Sequence, residues 1–491
     1  MKHQTASRLF TLLTITLMIV GCGPASEGVP LESPIDLFAT PTETGTETAE
    51  IAPTHTAEPV VPSIPDRPLS ADGPWLVFAA SDGIYAINPD ASGLTHLFPV
   101  QLSERYRVTL IASTHDGLIA FLSQGDREYD INLTIFSIPG SFVVKTIDLT
   151  SAVPDLGGEL MRREEVEAIR YDSIAFSPDG SKLAFMGVLD GPSSDLYVYD
   201  IAEDTITRLT DGPSQGFEPH WSPNGIYIVH FGASTFGTGA GILMDGAWAA
   251  RADDSGVISL YDPSNQSGEE FIGWVDDTTF LVNSWNPSCG SNNLRTFDIE
   301  TLSEQVLWED AFNDIVYDEA NGTLAIAIGI DYEHCNPEGK LGVFLVPLDG
   351  TPSQQVLTGE IEFLAHDAHA FNIIAMVDVM MPVEILPDGR TLSLNASPMA
   401  YGYPILSPDG LWAAWPGREF WIGARDPEAL PELVLAEDIV RAVWSPASGH
   451  GYAVFMIGSD ALYVAYAPGF IPLPLLVNVD LELAIAIWAF H

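Results

Sequence analysis

One four-residue tag keeps returning along this chain. Ser177-Pro178-Asp179-Gly180 closes the segment IAFSPDG and is followed at once by the apolar run KLAFMGV. Ser222-Pro223-Asn224-Gly225 does the same after EPHW, and Ser407-Pro408-Asp409-Gly410 after YPIL. Ser445-Pro446 follows RAVW with a longer turn. Proline presets φ at the first turn position, and Asp-Gly or Asn-Gly accepts the positive φ that a tight hairpin demands. Each tag is therefore a strand–turn–strand joint. A joint repeated at a steady period means that the chain is built from copies of one unit.

The period runs on through degenerate copies: GWVDDTTFLV at Asp276, IVYDEANGTLAIAI at Asp318 and FLAHDAHAFNIIAM at Asp367. From Ser177 through Ser222, Asp276, Asp318, Asp367 and Ser407 to Ser445, successive gaps are 45, 54, 42, 49, 40 and 38 residues. A four-stranded propeller blade needs roughly 40–50 residues. An earlier mark, STHDG at 113–117, stands 64 residues before Ser177, and an insertion accounts for the excess. The expected fold is therefore all-β, a single β-propeller of four-stranded blades.

Residues 173–210 give the cleanest unit, with strands IAF, KLAFMGV, DLYVYDI and TITRLTD. Alternating apolar positions rich in aromatic and β-branched residues mark half-buried strands. The SPDG joints, the D-L-Y-V-Y-D third strand and the T-x-L-T fourth strand resemble the TolB-type, or PD40, propeller repeat family. WLVFAASDGIYAINPDASGLTHLF, from Trp75, matches the same repeat without its first strand. The missing strand has a candidate at the other end of the chain, LAIAIWAFH at 483–491, whose pairing with the Trp75 segment would close the ring and remove its open sheet edges. Pro472, Pro474, Asp480 and Glu482 exclude a membrane-spanning tail there. Units begin near residues 75, 108, 173, 217, 271, 312, 361, 403 and 440, which makes nine blades; eight remain possible because one or two units are weak.

Acids outnumber bases, 67 Asp and Glu against 19 Lys and Arg, for a formal charge of −48. Such a surface repels phosphate backbones and excludes nucleic acid as a partner. Lys2 and Arg8 precede an apolar run at 9–20 that is short for a bilayer span and ends Ile19-Val20-Gly21-Cys22. This resembles the bacterial lipobox, with Ile19 in place of the usual Leu. The resemblance implies a signal peptide at 1–21 and a diacylglycerol on Cys22. Acyl chains anchor at about 0.8 kcal/mol per buried CH₂, so the chain is expected at the cell membrane, on its extracytoplasmic face, held by the lipid alone. Residues 22–70 are rich in Thr, Pro and Glu without periodicity and read as a disordered tether. The propeller then occupies 71–491.

Cys289 and Cys335 fall in equivalent loops of consecutive units, between second and third strands. Equivalent loops of adjacent blades are neighbours, and export permits a disulfide; two free thiols are the alternative. No CxxC or paired-His spacing suggests a metal there.

The insertion at 151–171 carries the head's one helical pattern, 160–169, in a fourth-to-first-strand connection. A Gly-rich irregular stretch at 231–248 lies between second and third strands. Both connection types emerge on one face of a propeller, and loops carry function more often than strands. Trp248, Trp285 and Tyr332, in loops of that face, are candidate contacts. Asp172, Glu218, His220, Asn313, Asp314, Glu362, His366 and Arg441 stand near the innermost strands, where several could converge at the channel. Convergent carboxylates could hold Ca²⁺ or act as an acid–base pair; equally, strand-end Asp and Asn cap turns, and His220 beside Trp221 reads as a packing histidine. Trp221, Trp274 and Trp444, just before their turns, read as inter-blade core. Gly212-Pro213-Ser214-Gln215-Gly216 fits G-x-S-x-G, but no helix follows, so a nucleophile elbow is not expected.

Some peptidases carry a TolB-like propeller ahead of an α/β-hydrolase domain. This chain ends within the propeller pattern, so no such domain is expected here, and no catalytic residue or cofactor is assigned. TolB-like propellers serve as interaction platforms, which implies a non-enzymatic scaffold or sensor with a protein or peptide partner. The alternatives are a hydrolase or lyase acting on glycan or peptide at the channel mouth, and small-solute or metal binding.

Overall fold

The computed structural model describes residues 63–491 except 101–109, 113–115, 125–129, 154–167, 170–172, 237–241, 262–267, 287–289, 320–321, 330–339, 368–371, 378–380, 387, 395–403, 426–428, 447–452 and 482–485. These residues form nine four-stranded antiparallel sheets. Eight follow chain order, with innermost strands Leu110–Ala112, Ile174–Phe176, Gln215–Trp221, Gly268–Trp274, Asp314–Asp318, Ile361–Asp367, Ile405–Leu406 and Ile439–Trp444 in blades two to nine. Blade one joins the two ends of the chain. Its inner strand is Ala486–Ala489, paired antiparallel to Trp75–Ala80 with Trp75 opposite Ala489 and Phe78 opposite Ala486. The repeat count of nine and the closing C-terminal strand both hold.

Burial explains the strand grammar. The middle strands are packed on both faces, as in Lys182–Gly187 and Asp195–Asp200, whereas the outermost Thr205–Arg208 is largely exposed. Nine hydrophobic clusters result, and each straddles one blade interface. Leu183, Phe185 and Tyr199 of blade three pack with Leu133 and Ile135 of blade two. Phe455 and Leu462 of blade nine pack with Leu76 and Phe78 of blade one, which closes the ring with side chains as well as backbone.

The recurring tag does more than turn the chain. Gly180, Gly225 and Gly410 take φ of +72°, +71° and +66°. The serine, buried in every copy, accepts from the backbone N–H five residues on: Lys182 N at 3.0 Å from Ser177 Oγ, Tyr227 N at 2.9 Å from Ser222 Oγ and Trp412 N at 3.0 Å from Ser407 Oγ. It also donates to the Asp or Asn two residues later, at 2.7, 2.8 and 2.5 Å respectively. In Ser445 the N–H is that of Ala453, eight residues on, across the longer turn.

Trp221, Trp274 and Trp444 are buried between blades. Trp221 Nε1 donates to Ala175 O at 2.9 Å, and Trp444 Nε1 to Ile405 O at 2.9 Å. Trp488 Nε1 donates to Trp444 O at 3.0 Å. Each indole thus donates to a carbonyl on the innermost strand of the preceding blade and ties the two blades together.

One reading changes. The stretch at 231–248 is not an irregular loop. Tyr227–Phe236 and Ile242–Arg251 are ten-residue strands paired through Phe236 and Ile242, with register shifts near Gly232 and Ala233. The glycines that look like loop residues allow close approach instead: a Cβ on Gly232 would stand 2.6 Å from Trp248 Cζ3. Of the helical pattern at 160–169, only Ala168 and Ile169 are described, both helical and buried. Among the described residues no helix is long and apolar enough to cross a membrane.

Candidate functional site

In an antiparallel blade the start of the first strand, the end of the second, the start of the third and the end of the fourth share one end. On that face the hairpins of blades four and five are the longest. Blade five pairs Thr279–Asn286 with Gly290–Asp298 out to Asn286 opposite Gly290. The charged groups of its interior are linked to one another. Arg295 Nη2 donates to Glu269 Oε2 at 2.8 Å, its Nε to Glu304 Oε2 at 3.1 Å and its Nη1 to Ser284 Oγ at 3.2 Å. Ser284 Oγ in turn donates to Glu269 Oε1 at 3.2 Å. Burial holds the Glu269 carboxyl above its usual range, with Arg295 and Ser284 pulling the other way.

Blade three has a counterpart. Buried Asp195 accepts from Arg208 Nη2 at 2.7 Å, and Asp211 from the same nitrogen at 2.8 Å. Asp190 lies 3.3 Å from Arg208 Nη1 and accepts from Tyr197 OH at 2.5 Å. Burial first, and Asp190 second, push the Tyr197 phenol up. Ser214 of the G-x-S-x-G match donates to Asp245 Oδ2 at 2.7 Å, and a strand rather than a helix begins at Gln215. These acids are neutralised by an arginine or engaged by hydroxyls. Among the described residues no group of three or more His, Cys, Asp or Glu could hold a metal ion.

The sequence candidates fall in separate places. Trp285 is 44% exposed at the end of the blade-five hairpin, and Leu243 is 46% exposed on the third strand of blade four. Met244, next to Leu243, reaches blade five, its Sδ accepting from Glu269 N at 3.0 Å. Trp248 is half-buried within a strand, stacked on His230 at 5.7 Å. Asp314 accepts from Ile315 N at 2.8 Å and, across the blade junction, from Leu364 N at 2.8 Å. Glu218 has φ +52° in a bulge of the innermost strand between Phe217 and His220. Bulges recur in the innermost strands of blades five, seven and nine, at Phe271/Gly273, Ile361/Phe363 and Ile439/Arg441. His220 stacks on Phe271 of the next blade at 4.0 Å, and burial pushes it down to about 3. His366 pairs with Ile373 near the end of its strand, so it stands toward the SPDG-type turns and not at the strand start where the sequence pattern put it. Cys22, Cys289, Tyr332 and Cys335 lie outside the described residues, as does Asp172.

Sequence reasoning missed the Arg208 and Arg295 networks. Their signal was present: 19 cations among so many acids, with Arg208 and Arg295 inside strand segments.

No family model matches the chain. A 99-residue stretch is 30% identical to an uncharacterized protein of Agrobacterium fabrum, and it covers 20% of this chain and 33% of that protein. The chain thus spans about a third of the length of the curated relative it matches. Among solved structures, a eukaryotic initiation factor superposes with a TM-score of 0.52 at 11% identity, over 84% of this chain and 98% of that one. TolB from Acinetobacter baumannii gives 0.31 at 13% identity over 57% and 63%, and an oligogalacturonate lyase in complex with manganese 0.36 at 16% over 65% and 89%. At these identities the likeness is one of fold: the chain is a nine-bladed β-propeller, similar to proteins that include both enzymes and TolB.

Proposed function

We propose that this protein is a TolB-like, lipid-anchored propeller on the extracytoplasmic face of the cell membrane, where it acts as a non-enzymatic platform for a protein partner. The observation that carries the reading is the rim of blades four and five. Leu243 and Trp285 stand exposed at the ends of the two longest hairpins, above a polar layer whose charges are already matched. Exposed apolar side chains on a base whose buried acid and arginine already engage each other suit binding better than proton transfer, and aromatic anchors of this kind dominate protein interfaces. The acyl group on Cys22 and the tether at 22–70 would hold the head off the bilayer; Cys22→Ala should release it to the soluble fraction.

Photo-crosslinking in native envelopes, followed by mass spectrometry of the captured head, tests the platform. We expect one reproducible protein partner, lost with Trp285→Ala and kept with Leu430→Ala, a change at an exposed leucine near the outer strand of blade eight. A head that captures nothing, yet turns over a glycan or peptide in a manner lost with Asp314→Asn, would replace this reading with an enzymatic one.

A further inference from the structure

Trp285 and Glu270 share one face of the blade-five sheet. Trp285 pairs with Gly268 and Asn283 with Glu270, which makes ring and carboxylate diagonal neighbours with Cα atoms about 7 Å apart. Both are exposed. Opposite the indole there is no side chain: a Cβ on Gly268 would lie 3.8 Å from Met244 Sδ and 3.9 Å from Trp285 Cε3. That is ordinary contact distance, so the glycine leaves a notch between thioether and indole. Among the described residues no Lys or Arg stands over Trp285, and none pairs with Glu270.

Elsewhere the chain fills such an arrangement with its own cations. Lys340 Nζ lies 5.1 Å above the Trp308 ring and 3.0 Å from Asp310. Lys145 lies 5.5 Å above Tyr199 and bonds Asp204 at 2.6 Å. Arg251 lies 5.4 Å above Tyr227 and 3.4 Å from Asp253. In each, a ring face and a carboxylate share one cation. Trp285 and Glu270 supply the ring and the acid, and among the described residues no cation meets them.

We propose that this notch receives a Lys or Arg side chain from a basic segment of the partner protein. The proposal rests on the platform reading and narrows it. The aliphatic stem lies along Met244, as long cationic side chains do on apolar surface. The head meets the indole face and Glu270. The formal charge of −48 draws a basic segment toward the head from a distance and turns acidic ones away.

The test uses the full chain and two fluorescent ten-residue peptides, alternating Leu-Arg and alternating Leu-Glu, followed by anisotropy at low and high salt. The Leu-Arg peptide is expected to bind, more weakly as salt rises, and the Leu-Glu peptide is not. Trp285→Ala should weaken binding about fivefold, the worth of one exposed cation–π contact. Glu270→Gln should weaken it about twofold. Gly268→Val, which fills the notch without a backbone clash, should weaken it as Trp285→Ala does, and Leu430→Ala should match wild type. Equal binding of the Leu-Glu peptide, no binding of the Leu-Arg peptide at millimolar concentration, or binding that all three rim variants leave unchanged would each overturn the proposal. If the envelope partner is still captured through Trp285 in that case, the platform stands and only the cationic occupant falls.

Discussion

Glu384 of blade seven is gripped at both carboxylate oxygens by Arg425, which follows the third strand of blade eight. Arg425 Nε donates to Glu384 Oε2 at 2.8 Å, its Nη2 donates to Oε1, and its Nη1 reaches Gly410 O at 3.3 Å in the SPDG turn. Glu384 is fully buried. Removing one partner leaves an uncompensated charge inside, whereas removing both with apolar replacements of similar volume does not. Arg425→Leu should cost about 3–5 kcal/mol in denaturant unfolding, and the Glu384→Leu/Arg425→Leu pair should recover most of it. An equal loss in the single and double variants would mean that the pair does not act as a unit.

Blades six and seven meet more closely than side chains allow. A Cβ on Gly329 would fall 1.5 Å from Ile361 O, and Gly329 N donates to Asn313 Oδ1 at 2.9 Å. Asp314 stitches the same junction through Leu364 N. Gly329→Ala forces the end of blade six's second strand away from the innermost strand of blade seven and should destabilise by at least about 1–3 kcal/mol, the usual cost of overpacking. Asp314→Ala should destabilise less and additively with distant changes such as Arg425→Leu. Hydrogen exchange should show the loss first at the Leu364 amide; unchanged protection there would remove Asp314 from the junction.

How much of this was legible follows from what repeats. The SPDG tag signals a turn through local chemistry, so the blade count and the closing strand could be read before any coordinates. Trp221 and Trp444 were legible as core because they precede that tag. Their bonds to Ala175 O and Ile405 O were not, since the acceptor is a backbone atom in another unit. Gly232 misled for a physical reason: glycine in sequence signals a loop, but here it clears space for Trp248 inside a strand. Asp314 and His366 looked alike in sequence as polar residues near an inner strand. Register separates them, one at the start of its strand and the other near the end. Trp285 was legible as an exposed aromatic only because its loop position was, and Glu270 beside it was invisible without the pairing to Gly268 and Asn283.

Ring closure depends on six residues at the C-terminus. Without the Ala486–Ala489 strand, blade one would lose its inner partner, Gly117 N its acceptor Phe490 O, and Trp444 O its donor Trp488 Nε1. An open edge on Trp75–Ala80 is a template for another chain. Deleting 486–491 should lower Tm and produce concentration-dependent assembly by light scattering. Trp488→Phe, which keeps the edge contact to Phe455 but removes the donor, should lower Tm only slightly and leave the protein monodisperse. A truncated protein as stable as the parent would show that closure adds nothing.

Two histidines with buried Nε2 atoms set the acid limit of the fold. Burial pushes His220 down to about 3 and His230 down to about 4. Neither Nε2 has a hydrogen-bond partner, and each ring is stacked, His220 on Phe271 and His230 on Trp248. In the unfolded chain a histidine titrates near 6.5, so below that pH the unfolded state binds protons that the folded state refuses. Stability from these groups is therefore complete above about pH 6.5 and is lost as pH falls toward 4. For His230 alone the loss at pH 4.5 is roughly 2–3 kcal/mol, at 1.36 kcal/mol per unit. Protonating the many surface acids acts in the opposite sense by relieving repulsion, so the difference between variants is the quantity to measure. His230→Phe keeps an aromatic ring against Trp248 and removes the titration. Its Tm should match wild type within a few degrees at pH 7 and exceed it clearly at pH 4.5. Parallel pH curves for the two proteins would show that His230 is charged or solvated in the folded state.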